Sequence, residues 1–204
     1  MFISFEGIDG CGKSTQARLL GERLTESGLP TLALREPGST PFSEYIRSAL
    51  LEEDYDLSPQ GQLFLFEAAR AELTDKVIRP ALADGKIVIA DRFFDSTTAY
   101  QGYGRGLPIE EVEKMNLFAT SGLEPDITFY LSLSYEESLA RTHNKKKDTI
   151  EQYGEEFFRR VIGGFDQIAE RSKGRVVTIR STHAVAVTFE KIMSIVEERL
   201  TVRK

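Results

Sequence analysis

A chain of 204 residues and 22.9 kDa fits a single domain, and surface scaling has it burying roughly 70% of its unfolded surface, so its core needs no metal or disulfide staples. Thirty-two acidic against 26 basic residues give a net charge of −6, which excludes a chain-wide basic footprint for nucleic acid. Hydrophobic and charged shares of 41% and 28%, one cysteine, and no long apolar run exclude disordered, disulfide-stapled and membrane-spanning classes.

The start, Met1 to Glu6, lacks a signal-peptide pattern, so the cytoplasm is the expected location. Residues 2–6 read as a strand, then a glycine-rich turn and a helix over about 13–27, on which Ala17, Leu20 and Leu24 share a face. Gly28 and Pro30 end that helix, and residues 31–34 read as a second strand before a turn at Arg35-Glu36-Pro37-Gly38. Helices are predicted over about 41–51 and 59–82, the second with Ser58 as N-cap and Pro59 at its first position. The apolar run 87–90 stops at Asp91-Arg92, as a buried parallel strand does. A strand at 127–133 follows, then a capping box of Ser134 and Glu137 for a helix starting at Tyr135. Residues 142–153 are polar, a helix runs over about 155–171, a last strand over 176–179, and a terminal helix over about 184–200.

Strands alternating with helices predict right-handed crossovers and an α/β fold, with a parallel sheet covered on both faces and one domain over 1–204. Such sheets bind ligands beyond the carboxyl ends of their strands. Gly7, Arg35 and Asp91 follow predicted strand ends, so chemistry is expected there.

Gly7-Ile8-Asp9-Gly10-Cys11-Gly12-Lys13-Ser14-Thr15 matches G-x-x-x-x-G-K-[ST], between a predicted strand and a predicted helix. Glycines let the backbone curl until successive N–H groups face phosphate oxygens, and the helix N-terminus adds positive charge. Lys13 is placed to reach the β and γ phosphates, and the Ser14 hydroxyl to coordinate Mg²⁺. A nucleoside triphosphate is therefore the expected ligand. No D-x-x-G segment follows the loop and no guanine-reading N/T-K-x-D occurs, against a GTPase switch. Arg92 at a strand end suits a second, phosphate-bearing substrate, because its planar fork binds phosphate bidentately; the alternative is a surface Asp–Arg pair. His143 and His183 lack metal-ligand spacing, and Cys11 reads either as a small residue in a tight turn or as a thiol activated by the helix start.

Several segments together resemble the thymidylate kinase family: Phe5 to Thr15, Arg35 to Gly38, Leu65-Phe-Glu-Ala-Ala-Arg70, Asp91 to Gly102, Gly104-Arg-Gly106 and, more weakly, Asp148-Thr-Ile-Glu151. Their order spans nearly the whole chain, and Asp91 to Gly102 is the most specific. The resemblance implies a three-layer P-loop fold with a five-stranded parallel sheet, a lid over about 142–153, a homodimer, and transfer of phosphate from ATP to dTMP. By position it implies that Phe66 stacks on thymine, Arg70 bonds its edge, and Arg47 and Arg92 hold the dTMP phosphate. Ser96, Thr97, Tyr100 and Gln101 would line the pocket, Glu36-Pro37 would form the turn at the acceptor site, and Asp9 would meet the sugar hydroxyl or a metal-bound water. On spacing alone Phe66 reads as core, Arg47 as a solvated helix residue and Tyr100 as packing, although Phe66 and Arg70 share a helix face.

The chain also departs from that family. Gly10 stands where some members have a loop arginine, and Thr149 where others have one after the lid aspartate. Arg141 and at least one of Lys145, Lys146 and Lys147 are expected to supply the missing charge; the bland reading of the lysines is a solvated loop. The rival functions are another P-loop nucleoside monophosphate or deoxynucleoside kinase, and a nucleotide-binding switch without transfer chemistry.

Overall fold

Five short strands, all parallel, form one sheet in the order β2-β3-β1-β4-β5: β1 Phe2–Glu6, β2 Thr31–Arg35, β3 Ile87–Asp91, β4 Ile127–Ser132 and β5 Val176–Arg180. The computed structural model describes residues 1–52, 55–144, 148–150, 152–181 and 184–202. β1 lies at the centre and is buried along its length, its polar Ser4 and Glu6 included. Register pairs Phe5 with Asp91 and Asp91 with Arg35, so three strand ends finish level and feed three loops onto one edge.

Strand alternation divides the core. On β3, Ile87 and Ile89 join Ala17, Leu20 and Leu24 of α1 (Lys13–Glu26) and Ile192 and Val196 of the last helix (Val185–Val202). Val88 and Ala90 point the other way, against Leu73, Ile78 and Ala81. Helices therefore cover both faces, giving the three layers predicted for an α/β fold.

Between β2 and β3 lie α2 (Pro41–Leu51), α3 (Pro59–Leu73) and α4 (Arg79–Ala83). Thr40 and Ser58 cap α2 and α3 through their side chains, each ahead of a proline. The helix predicted over 59–82 is not continuous. Residues Thr74–Ile78 form a π turn, so α3 and α4 are two pieces of one rod.

Between β3 and β4 the chain forms α5 (Phe94–Thr97), a π segment (Thr98–Gly104) and α6 (Ile109–Ala119), none of which the periodicity predicted. After β4, α7 (Tyr135–Thr142) begins with the expected capping box, and α8 (Glu155–Arg171) matches its predicted bounds. The terminal helix is α9. Among the described residues, no helix is long and apolar enough to cross a membrane.

Candidate active site

Gly7 leaves β1 at φ +133°, where a Cβ would lie 2.6 Å from the Leu131 carbonyl oxygen, so only glycine fits. The loop then turns through Gly10 and Gly12, both in the left-handed region, and Gly12 caps α1. Five successive loop carbonyls each accept a hydrogen bond from a side chain. Arg92 holds that of Gly7 at 3.0 Å, Lys13 that of Ile8 at 3.0 Å, and Ser138 that of Asp9 at 2.7 Å. Arg141 holds that of Gly10 at 3.1 Å and Ser181 that of Cys11 at 2.8 Å. With its carbonyls tied back to these side chains, the curl is fixed as the anion-binding concavity the motif predicts.

Lys13 is buried, with its ammonium also 3.8 Å from Asp9. The Ser14 hydroxyl donates to the Asp91 carboxylate, linking the start of α1 to the end of β3. Arg141 bonds Ser181 at 2.9 Å, while its Nε and one terminal nitrogen are buried without a partner. Gly10, Gly12, Lys13, Ser14, Thr15, Arg35, Asp91 and Arg141 line a cleft of about 1020 Å³.

A second cleft, of about 620 Å³, opens beside the first and brings together ten of the predicted acceptor-site residues: Asp9, Glu36, Pro37, Arg47, Phe66, Arg70, Arg92, Ser96, Thr97 and Tyr100. Gln101 also lines it, its amide donating to Gln62 at 3.1 Å. Glu36-Pro37 is a cis peptide bond. Phe66 and Arg70 sit one turn apart on α3, as their spacing indicated. Asp9, Glu36, Arg47 and Arg92 line both clefts.

Arg70 differs in detail from its expected role. It is 2% exposed, and four of its N–H groups donate hydrogen bonds to protein acceptors. Glu36 accepts one at 2.9 Å, Glu67 one at 2.9 Å, Asn116 one at 3.0 Å and Thr97 one at 2.8 Å, and the Glu36 carboxylate also lies 2.8 Å from a terminal nitrogen as an ion pair. Protein groups therefore hold most of this guanidinium, and one terminal N–H, beside the Glu36 carboxylate, is not spent in a hydrogen bond. Burial pushes the Glu36 carboxyl up to about 7 and raises Glu67, with Arg70 opposing both.

Arg92 sits in the left-handed region at φ +72° and stacks over Tyr100 at 5.1 Å. Its second terminal nitrogen bonds Asp9 at 2.9 Å. Burial opposes its charge, but Tyr100, Asp9, Asp91 and Glu6 more than offset that. Arg47 donates to the Pro37 carbonyl at 3.0 Å, and burial plus the neighbouring Arg35 lowers its pKa, so cations are crowded where the clefts meet. This crowding suits two phosphates brought close together.

Sequence reasoning missed Asp91 as the partner of Ser14, and missed Ser138 and Ser181 as braces of the loop. It also missed Leu51, Phe93, Asp148 and Ile150, which line the second cleft. Thr149, at the position where an arginine was expected by resemblance, bonds the Leu51 carbonyl through both its N–H and its hydroxyl, at 3.2 Å each. The lysines Lys145, Lys146 and Lys147, with Glu151 and His183, lie outside the described residues. Among the described residues, no group of three or more His, Cys, Asp or Glu is arranged to hold a metal.

A phosphate loop and a base-sized cleft sharing one cationic wall are a narrow combination, and comparison with known proteins gives it a context. The thymidylate kinase family model matches residues 5–192. The thymidylate kinase of Prosthecochloris aestuarii is 48% identical over 209 residues, covering 98% of this chain and 94% of its own. That of a Synechococcus strain is 46% identical over 200 residues, covering 98% and 96%. The crystal structure of thymidylate kinase from Ehrlichia chaffeensis superposes with a TM-score of 0.79 at 35% identity, over 96% of this chain and 98% of that one. Sheet order, loop and cleft thus occur in a chain that matches these proteins nearly end to end, and the chain belongs to the thymidylate kinase family.

Proposed function

We propose that this protein phosphorylates dTMP to dTDP with ATP and Mg²⁺, a step toward dTTP. The observation that carries the reading is the shared wall: Arg92 and Arg47 face both the phosphate loop cleft and the cleft bearing Phe66. An acceptor phosphate held there lies beside the loop that grips the donor.

The loop from Gly7 through Thr15 binds the ATP phosphates, and Lys13 exchanges the Ile8 carbonyl for the β and γ phosphates. Arg141 offers the N–H groups of its two unpartnered nitrogens to the donor. Phe66 stacks on thymine, Arg70 and Gln101 meet its edge, and Ser96, Thr97 and Tyr100 complete the wall. Arg47 and Arg92 hold the dTMP phosphate. Its oxygen is already largely ionised near neutral pH, so the nucleophile requires no strong base. Asp9 is engaged by Arg92 and Lys13 and orients them. Rate enhancement comes from aligning two anions and neutralising charge on the transferred group.

The hydroxyl of Ser14 beside the carboxylate of Asp91, with Asp9 across the loop, is a set of hard oxygen donors that fits Mg²⁺. Mg²⁺ takes few protein ligands beside substrate phosphates and supplies charge neutralisation there. Residence in the cytoplasm and assembly as a homodimer belong to the same reading. The dimer is supported by Phe64 on α3 and Phe118 on α6, two packed helices; Phe118 is 89% exposed.

The test is transfer from ATP·Mg²⁺ to dTMP, dUMP, dCMP, dGMP and thymidine. dTMP should be the preferred acceptor. Preference for another monophosphate or for thymidine would move the protein to a neighbouring kinase activity, and no transfer to any acceptor would sink the reading.

A further inference from the structure

Glu6 ends β1 directly before the phosphate loop and is wholly buried, and the reaction described above does not use it. Its carboxyl group spans the turn that carries Arg92. Oε1 accepts the Phe93 backbone N–H at 2.7 Å, and Oε2 accepts the Ser96 hydroxyl. Ser96 in turn accepts a terminal N–H of Arg92 at 3.1 Å. A chain of hydrogen bonds thus runs from the guanidinium at the cleft to a carboxyl group at the carboxyl end of the central strand.

The turn needs such a restraint. Arg92 is a non-glycine residue in the left-handed region, a conformation that persists only where its surroundings over-determine it. Its own N–H is held by the Phe5 carbonyl at 3.0 Å, and the next N–H by Glu6. Buried donors that found no acceptor here would leave both the turn and Ser96 unanchored.

The charged groups facing Glu6 are Asp95 on α5, Arg92 before it, and Arg175 ahead of β5. Arg175 grips both Asp95 oxygens at 2.7 Å, so Asp95 already has its cation. Burial, with Asp95 next, pushes the Glu6 carboxyl up to about 8. Protonated or not, Oε1 still accepts from Phe93, whereas Oε2 accepts the Ser96 hydroxyl only in the ionised form.

We propose that Glu6 is a positioning residue for Arg92, fixing its turn directly and its guanidinium through Ser96. The inference rests on the assignment of Arg92 to the dTMP phosphate. Glu6→Gln and Glu6→Leu test it, with each substrate varied in turn at about pH 9, above the Glu6 pKa of about 8, where the carboxylate accepts from Ser96. Glutamine keeps an acceptor for Phe93 but turns an N–H toward Ser96, whereas leucine offers neither bond. KM for dTMP should rise about 10-fold in Glu6→Gln and about 100-fold in Glu6→Leu, while KM for ATP rises far less, by no more than the loss of the Arg92 bond to the Gly7 carbonyl, about fivefold. Adding Ser96→Ala to Glu6→Gln should cost much less than Ser96→Ala alone, because both act through one chain. If Glu6→Leu fails to fold, Glu6→Gln carries the test by calorimetric titration with dTMP. A KM for ATP that rises in step with that for dTMP overturns the proposal, as does a Glu6→Gln enzyme with unchanged dTMP affinity. An unaltered enzyme that does not turn over dTMP overturns the functional reading, and this inference with it.

Discussion

The Ser138 and Ser181 hydroxyls do for the phosphate loop what glycine alone cannot: they hold its carbonyls away from the anion. Losing one such bond costs about 1 kcal/mol, so Ser138→Ala should raise KM for ATP about fivefold and leave KM for dTMP unchanged in steady-state assays. Neutralising Lys145, Lys146 and Lys147 together should lower kcat far more than it raises KM for dTMP, and an unchanged kcat would leave Arg141 as the sole substitute for the missing arginines. Glu6 gives a pH prediction. Unfolded, it loses its proton near 4.5; folded, near 8, because burial disfavours the charge. Between those values the folded state binds more protons, so this group's stabilising contribution, complete below about pH 4.5, is lost as pH rises toward 8. Melting temperature should therefore fall with rising pH across that window, and fall less steeply in Glu6→Gln. Much at this scale was legible. The loop motif placed Lys13 and Ser14, and four-residue spacing paired Phe66 with Arg70. The bracing serines were not legible, since Ser138 and Ser181 lie more than 120 residues along the chain from the carbonyls they hold and carry no local pattern.

At the scale of elements, the π segment is pressed between α6 and α8 and carries Tyr100 and Gln101 into the cleft. Its fit is reciprocal: a Cβ at Gly104 would lie 2.6 Å from the Phe157 ring, and one at Gly164 would lie 2.7 Å from Tyr103. Gly164→Ala should cost about 1–3 kcal/mol in chemical denaturation through overpacking, and raise KM for dTMP by shifting the segment. On the other flank, Asp95 holds Arg175 in a largely buried pair, and Asp95→Asn leaves that guanidinium under-compensated. A loss of about 3–5 kcal/mol in denaturant midpoint analysis is expected. The sequence did not announce these elements. Residues 94–104 are rich in Ser, Thr and Gly, which favour turns over helices, and packing, most of it against α8, keeps them wound. On α6, Val112 is buried while Phe118 is exposed, so the apolar stripe is not clean. The π turn at Thr74–Ile78 is marked only by Pro80 just beyond it, which cannot donate to the preceding turn of helix.

For the whole molecule, alternation of strands and helices was enough to predict a covered parallel sheet, but not the order of its strands. Order depends on which crossover packs beside which, and the short apolar strands are alike in sequence. Assembly is the property that exposed residues speak to most directly. Sedimentation should give about twice 22.9 kDa, and Phe118→Glu with Phe64→Glu should return the mass to that of one chain while the fold survives.

Asp9, Glu36, Arg47 and Arg92 belong to the walls of two clefts at once. Occupancy on one side therefore alters the field and the side-chain partners met on the other, and the two affinities cannot be independent. By thermodynamic reciprocity, whatever factor one nucleotide imposes on the other's dissociation constant is returned in equal measure. A non-hydrolysable donor should thus change dTMP affinity by the same ratio that dTMP changes the donor's.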